Sequence, residues 1–171
     1  LHKVCLRLSQ KLVRLNRTLI SPSWANYVQD VRELSGFSLN GEKLLFAIGS
    51  RHLRYGVASA RQAGAISFAR ILSTPESIKE ALLSQLPSEN IAVIRPCQGT
   101  KLGNYEEAIC KRWSISGIVC RQSGGLTQKV WQGICERNKI RLWLVKRPEI
   151  LGINIVEGTD RIIERYVNSV D

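Results

Sequence analysis

The stretch Gly117–Lys129, GIVCRQSGGLTQK, decides how this chain folds. A short apolar run stops at Arg121, and Ser123-Gly124-Gly125 then leads into a helical pattern. Ile118, Val119 and Cys120, with Gly117 before them, are too few for a helix and suit a strand covered on both faces, as in a parallel sheet. The turn then sits at the strand's carboxyl end. Open α/β sheets bind ligands at this edge, because helix N-termini and their backbone N–H groups converge there. Gly124 and Gly125 let the backbone approach a ligand closely, while Ser123 can cap the next helix or donate to an oxyanion. Read alone, the same turn also suits an ordinary strand-to-helix connection with a good N-cap.

The pattern repeats outward. Strands are expected at Leu44–Ile48, Ile66–Leu72, Ile91–Ile94, Gly117–Cys120 and Arg141–Val145. Helical patterns alternate with them at Arg54–Gln62, Pro75–Leu86, Asn104–Trp113 and Leu126–Asn138, the second opening on Thr74 as N-cap with Pro75 behind it. Strands joined by single helices make right-handed crossovers, so the fold class is α/β with a doubly wound parallel sheet. Before it come a helix to about Lys11, a strand Leu12–Leu15 and a helix Ser23–Leu34, with Ser35–Lys43 as a connector. After Pro148 a final helix is expected at Thr159–Ser169.

The 171 residues suit about one domain. No segment approaches the roughly 18 uninterrupted apolar residues of a membrane span. The opening LHKVCLRLSQKLVRL is too interrupted by basic residues to be a signal peptide. Cys5, Cys97, Cys110, Cys120 and Cys135 form no C-x-x-C pair, and His2 and His52 lie far apart, so neither a disulfide framework nor a metal site is expected. Reduced thiols fit a cytoplasmic protein. The chain contains no methionine and opens on helical periodicity without a cap, which suggests either that residues precede Leu1 or that the chain begins from an unusual start. The net charge of +11 points to an anionic partner or simply to a soluble basic surface. It is spread without aromatic interleaving or a recognition helix, so nucleic acid is not the expected partner.

The strand ends carry the charge that matters. AIGSR reaches Arg51, IAVIRP ends on Arg95, GIVCR on Arg121 and LWLVKRP on Arg147, so four arginines are expected along one edge of the sheet, with Arg70 as a fifth candidate. Guanidinium pairs bidentately with carboxylate and phosphate. No serine lies in a nucleophile elbow, and no acid–base pair stands out. Arginines, small residues and backbone amides suit a charged cofactor that carries its own chemistry.

AIGSR, ARILSTPES at Ala69–Ser77, Gln98-Gly99, VCRQSGG at Val119–Gly125 with Lys129 after it, and VKRPE at Val145–Glu149 stand in the order seen in one family. The chain resembles the precorrin-6A reductases of cobalamin biosynthesis. The resemblance is good over Leu44–Glu149, loose over the first forty or so residues, and hardly reaches the C-terminal tail. It implies two Rossmann-like halves, with residues 1–41 a remnant of the first and a connector, and residues 42–171 the second. The family's first strand and its Gly-Gly-Thr loop would precede this chain. It also implies NADPH as cofactor, a tetrapyrrole polycarboxylate as substrate, and hydride reduction of a ring double bond in precorrin-6A or cobalt-precorrin-6A. Cofactor contacts are then expected from Gly49, Ser50, Arg51, Arg121, Ser123, Gly124, Gly125 and Lys129. Substrate contacts are expected from Thr74, Glu76, Gln98, Gly99 and Arg147. Two departures stand out: Arg121 replaces a usual lysine, and Thr100-Lys101 replaces Pro-Phe. The alternative function is a non-catalytic truncated α/β domain that binds an anionic ligand or a partner protein.

Overall fold

The computed structural model describes residues 13–95, 102–148 and 154–157. In chain order the strands are Val13–Asn16 (β1), Asn26–Val28 (β2), Lys43–Ala47 (β3), Ile66–Ile71 (β4), Ile91–Val93 (β5), Gly117–Arg121 (β6), Arg141–Val145 (β7) and Asn154–Glu157 (β8). The α-helices are Leu53–Gln62 (α1), Pro75–Leu83 (α2), Asn104–Trp113 (α3) and Leu126–Asn138 (α4). The chain divides into two compact units, residues 1–20 with 148–171, and residues 21–147. In the first, β1 and β8 pair in parallel with Val13 opposite Asn154. The expected division between residues 41 and 42 falls inside the second unit. The helices expected before residue 12 and over 159–169 lie outside the described residues.

The larger unit is the expected doubly wound parallel sheet, in the order β2-β7-β6-β3-β4-β5. Alternate side chains of a strand face opposite sides, and β3 shows the consequence. Leu44 and Phe46 pack on one face with Leu53, Val57 and Ala60 of α1 and Ala81 of α2. Leu45 packs on the other with Cys110 of α3 and Trp131, Ile134 and Cys135 of α4. Burying each large side chain contributes roughly 1.5–3 kcal/mol, so both layers are needed to hold so short a set of strands. The chain winds from β3 through β4 to β5 in one direction, then returns past β3 to β6 and β7. The order therefore reverses between β3 and β6, and a crevice opens at their carboxyl ends.

Two local expectations change. Ser23–Leu34 is not one helix: Asn26–Val28 is an edge strand paired with β7, and Val31–Gly36 is a 3-10 helix. Asp30, extended at φ −134°, resets the chain between them and closes a capping box with Glu33. The i, i+3 spacing of Val28, Val31 and Leu34 suits an α-helix equally well, and only the partner strand separates the readings. Helix α2 ends at Leu83 rather than Leu86, where Ser84 caps it and Gln85 turns to φ 57°. Of the expected reduced thiols, Cys110, Cys120 and Cys135 are free and buried, and burial pushes the first two up to about 12. Cys5 and Cys97 lie outside the described residues.

Glu107 ties α3 to α4. Its carboxylate accepts from Arg137 Nη2 at 2.9 Å and Asn138 Nδ2 at 3.2 Å, and pairs with Lys111 at 3.0 Å. Those donors, Arg137 first, hold its pKa down to about 2 from 4.5. A depressed carboxyl contributes stability that is present above its unfolded value and lost as pH falls through the folded one. Glu107→Gln should therefore cost about 1 kcal/mol at neutral pH, allowing for solvent screening, and flatten the acid limb of stability between 4.5 and about 2. Urea denaturation of both proteins across that range measures it, and an unchanged acid limb would contradict the assignment.

Candidate functional site

A cavity of about 400 Å³ lies at the carboxyl ends of β3 and β4, beside the crevice, and Arg121 reaches it from the end of β6; its size is within the range of small-molecule sites. The apolar run of β3 continues to Ile48, and Gly49 follows at φ 84°, ψ 156°. Side chains other than glycine rarely adopt that backbone, and a Cβ placed there would meet nothing within 4 Å. The demand is thus conformational, and the backbone stays open to the cavity. Gly49 sends the chain into a 3-10 turn, Ser50–His52, which runs into α1.

Across the crevice Arg121 Nε donates to the Ile48 carbonyl oxygen at 2.7 Å. Its Nη groups have no other partner among the described residues. Gly49, Ser50, Arg51 and Arg121 all line the cavity, together with His52 and the buried Arg70 at the end of β4. Ile48, Ile71 and Leu72 supply its apolar wall, and Ser77 of α2 closes one side. No carboxylate among the described residues lines it. Arg51 and Arg121 form no ion pair with the described residues. Burial, then Arg121, Arg32 and Arg51, hold His52 below its ordinary pKa of 6.5 against the opposing pull of Asp30.

The Ser-Gly-Gly turn is arranged differently from the expectation. Ser123 N and Gly124 N donate inward, at 2.7 and 2.8 Å, to Oε1 of the fully buried Gln128. Gln128 is the third residue of α4 and reaches back as the third residue of a capping box does. Gly125 N donates to Ser123 Oγ at 3.3 Å, and Arg147 Nη2 donates to the Ser123 carbonyl at 2.6 Å. The amides expected to meet a ligand are therefore occupied by the protein. Gly124, at φ 67°, lets the turn close on Gln128.

The remaining expected residues are placed as follows. Thr74 caps α2, accepting from Ser77 N at 3.2 Å and donating to Ser77 Oγ at 3.0 Å, and so positions a cavity residue without lining the cavity. Glu76 and Lys129 are exposed and do not line it, and neither does Arg95. Gln98 and Gly99 lie outside the described residues. His52 was weighed only as a metal ligand, yet its place directly after Gly49-Ser50-Arg51 signalled a site residue. Gln128 left one signal, a glutamine at the third position of a helix after two glycines. Among the described residues no cluster of His, Cys, Asp or Glu could hold a metal ion, and no helix is long and apolar enough to cross a membrane.

Residues 1–167 match the family described as Precorrin-6x reductase CbiJ/CobK. A cobalt-precorrin-6A reductase of Synechocystis sp. is 30% identical over 125 residues, 72% of this chain and 46% of that protein. The chain thus spans about half the length of that relative. A solved CobK precorrin-6A reductase has a similar fold, with a TM-score of 0.72 at 15% identity over 98% of this chain and 66% of that one.

Gln128→Leu would leave two backbone donors without their acceptor. At roughly 1–3 kcal/mol for each unsatisfied buried group, the loss should be about 2–4 kcal/mol in a urea melt. A change below about 0.5 kcal/mol, the level of an ordinary surface substitution, would show that Gln128 does not hold the turn.

Proposed function

Because the chain belongs to the precorrin-6x reductase CbiJ/CobK family, we propose that it serves an NADPH-dependent reduction of a ring double bond in precorrin-6A or cobalt-precorrin-6A, in the cytoplasmic synthesis of cobalamin. The observation that carries this reading is the cavity at the carboxyl ends of β3 and β4, lined by three arginines and, among the described residues, by no carboxylate. A dinucleotide phosphate and a tetrapyrrole rimmed with carboxylates are both polyanions, and guanidinium groups match either. In this reading residues 42–171 are the family's second Rossmann-like half.

The residues present fit a phosphate-bearing cofactor. Gly49 exposes backbone at the end of β3, and Ser50, Arg51 and Arg121 converge on the same space. These four would hold the phosphate-bearing part of NADPH; Lys129, Ser123, Gly124 and Gly125, which do not line the cavity, are assigned to the same cofactor. NADPH supplies the hydride when it is bound. Thr74, Glu76, Arg147 and the Gln98-Gly99 pair are assigned to the substrate side. The protein's task is then to orient two charged ligands and exclude water, which accounts for a site without an acid–base pair.

The test uses the protein as its host makes it. NADPH consumption that depends on precorrin-6A or its cobalt form is the expected result. Arg121→Ala should weaken NADPH or substrate binding about ten- to a hundredfold, the loss of one charge-assisted contact. A folded protein that turns over neither substrate, where another member of the family does, would overturn the proposal.

A further inference from the structure

His52 is a titratable ring in a cavity otherwise furnished with permanent cations. It ends the 3-10 turn after Gly49 and lines the cavity with Arg51, Arg70 and Arg121. It precedes α1 without capping it, so no helix amide claims its ring nitrogens. The 3-10 helix on the same face brings Arg32, with Asp30 just before it. Arg32 stacks on the Tyr55 ring at 4.2 Å, and Arg54 lies over that ring at 4.6 Å. Helix α2 also packs on the turn, with Glu76 exposed in its first turn. The charges that act on the imidazole are Arg121, Asp30, Arg32 and Arg51, three cations against one anion.

We propose that His52 is a ligand of the cavity's anion site that takes up one proton from solvent when an oxyanion settles between Arg51 and Arg121. The inference rests on the anion-binding reading above and extends it to a residue that reading does not use. The physical reason is linkage. Without an anion, the three arginines and partial burial disfavour a fourth positive charge. A bound oxyanion reverses the local field and offers an acceptor, so the imidazolium becomes the favoured form. Any ligand that binds the protonated form better must bind more tightly as pH falls through the range in which His52 titrates. An acidic ligand is thereby held by a donor that switches on with its arrival, while the arginines supply the constant attraction.

Sulfate is a suitable probe, because its charge does not change between about pH 5.5 and 8 while a histidine titrates there. The chain has two histidines, His2 and His52, so proton NMR follows two imidazole signals, and His52→Gln assigns them by removing one. Sulfate is expected to raise the titration midpoint of His52 and leave that of His2 in place. Calorimetry in buffers of different ionisation heat should show net proton uptake on binding, with sulfate about three- to tenfold tighter at the acid end. In His52→Gln both the uptake and the pH dependence should disappear while binding persists. Sulfate that binds with an unmoved His52 midpoint, or with the same pH dependence in His52→Gln, overturns this inference and leaves the anion site standing. Sulfate that does not bind at any pH overturns the anion site and this inference with it.

Discussion

The ligand edge of this fold depends on one hydrogen bond, from Arg121 Nε to the carbonyl oxygen of Ile48, 2.7 Å long. Strands β3 and β6 are in register up to Ala47 opposite Cys120, and beyond that point their connections leave on opposite faces of the sheet. The ladder can go no further, yet the Ile48 carbonyl still needs a donor. A side chain supplies it. Arg121 thereby holds the rim of the crevice closed at its base while its Nη groups remain on the cavity side. Gly49 can then turn at positive φ, and Ser50, Arg51 and His52 are delivered to the same space.

Charge is distributed unevenly between the two edges of the sheet. At the amino ends, Arg141 of β7 pairs with Glu42 at 2.8 Å, and Ser116 Oγ donates to the same carboxylate at 3.0 Å. The helices α3 and α4 are tied by Glu107 in the same manner. At the carboxyl ends, the cavity collects arginines and a histidine and, among the described residues, no acid. Clustered cations repel each other, more strongly where water is partly excluded. A fold that pairs its charges at one edge and concentrates one sign at the other leaves that repulsion for a ligand to relieve. This is why the anion reading rests on the absence of a lining carboxylate among the described residues more than on the total charge of +11.

The core sheet was legible in the chain because its strands are short apolar runs with turn signals at both ends. β7, α3 and α4 match their expected limits residue for residue. Gly49, Ser50, Arg51 and Arg121, expected together at the strand ends, do line one cavity, because the parallel strands that carry them end at the same edge of the sheet. What the sequence did not reveal depended on which partner a group takes in the folded chain, whether far along it or only a few residues away. Val28 belongs to a strand only because β7 lies beside it. The amides of Ser123 and Gly124 look free for a ligand until Gln128 is seen to accept from both. Thr74 reads as a substrate contact, yet its hydroxyl is engaged with Ser77. Val28 thus needs a strand far along the chain, whereas Ser123, Gly124 and Thr74 take near neighbours as partners, a choice that the linear pattern leaves open.

The central claim is that an anion seats between Arg51 and Arg121 in the cavity at the carboxyl ends of β3 and β4. Its most direct test is a crystal of the protein soaked in selenate, read by the anomalous signal of selenium. The expected result is a peak inside the cavity, within hydrogen-bonding distance of Arg121 Nη and the Ser50–Arg51 turn. Selenium density confined to the outer surface, or placed against the Ser123–Gly125 turn with none in the cavity, would contradict it.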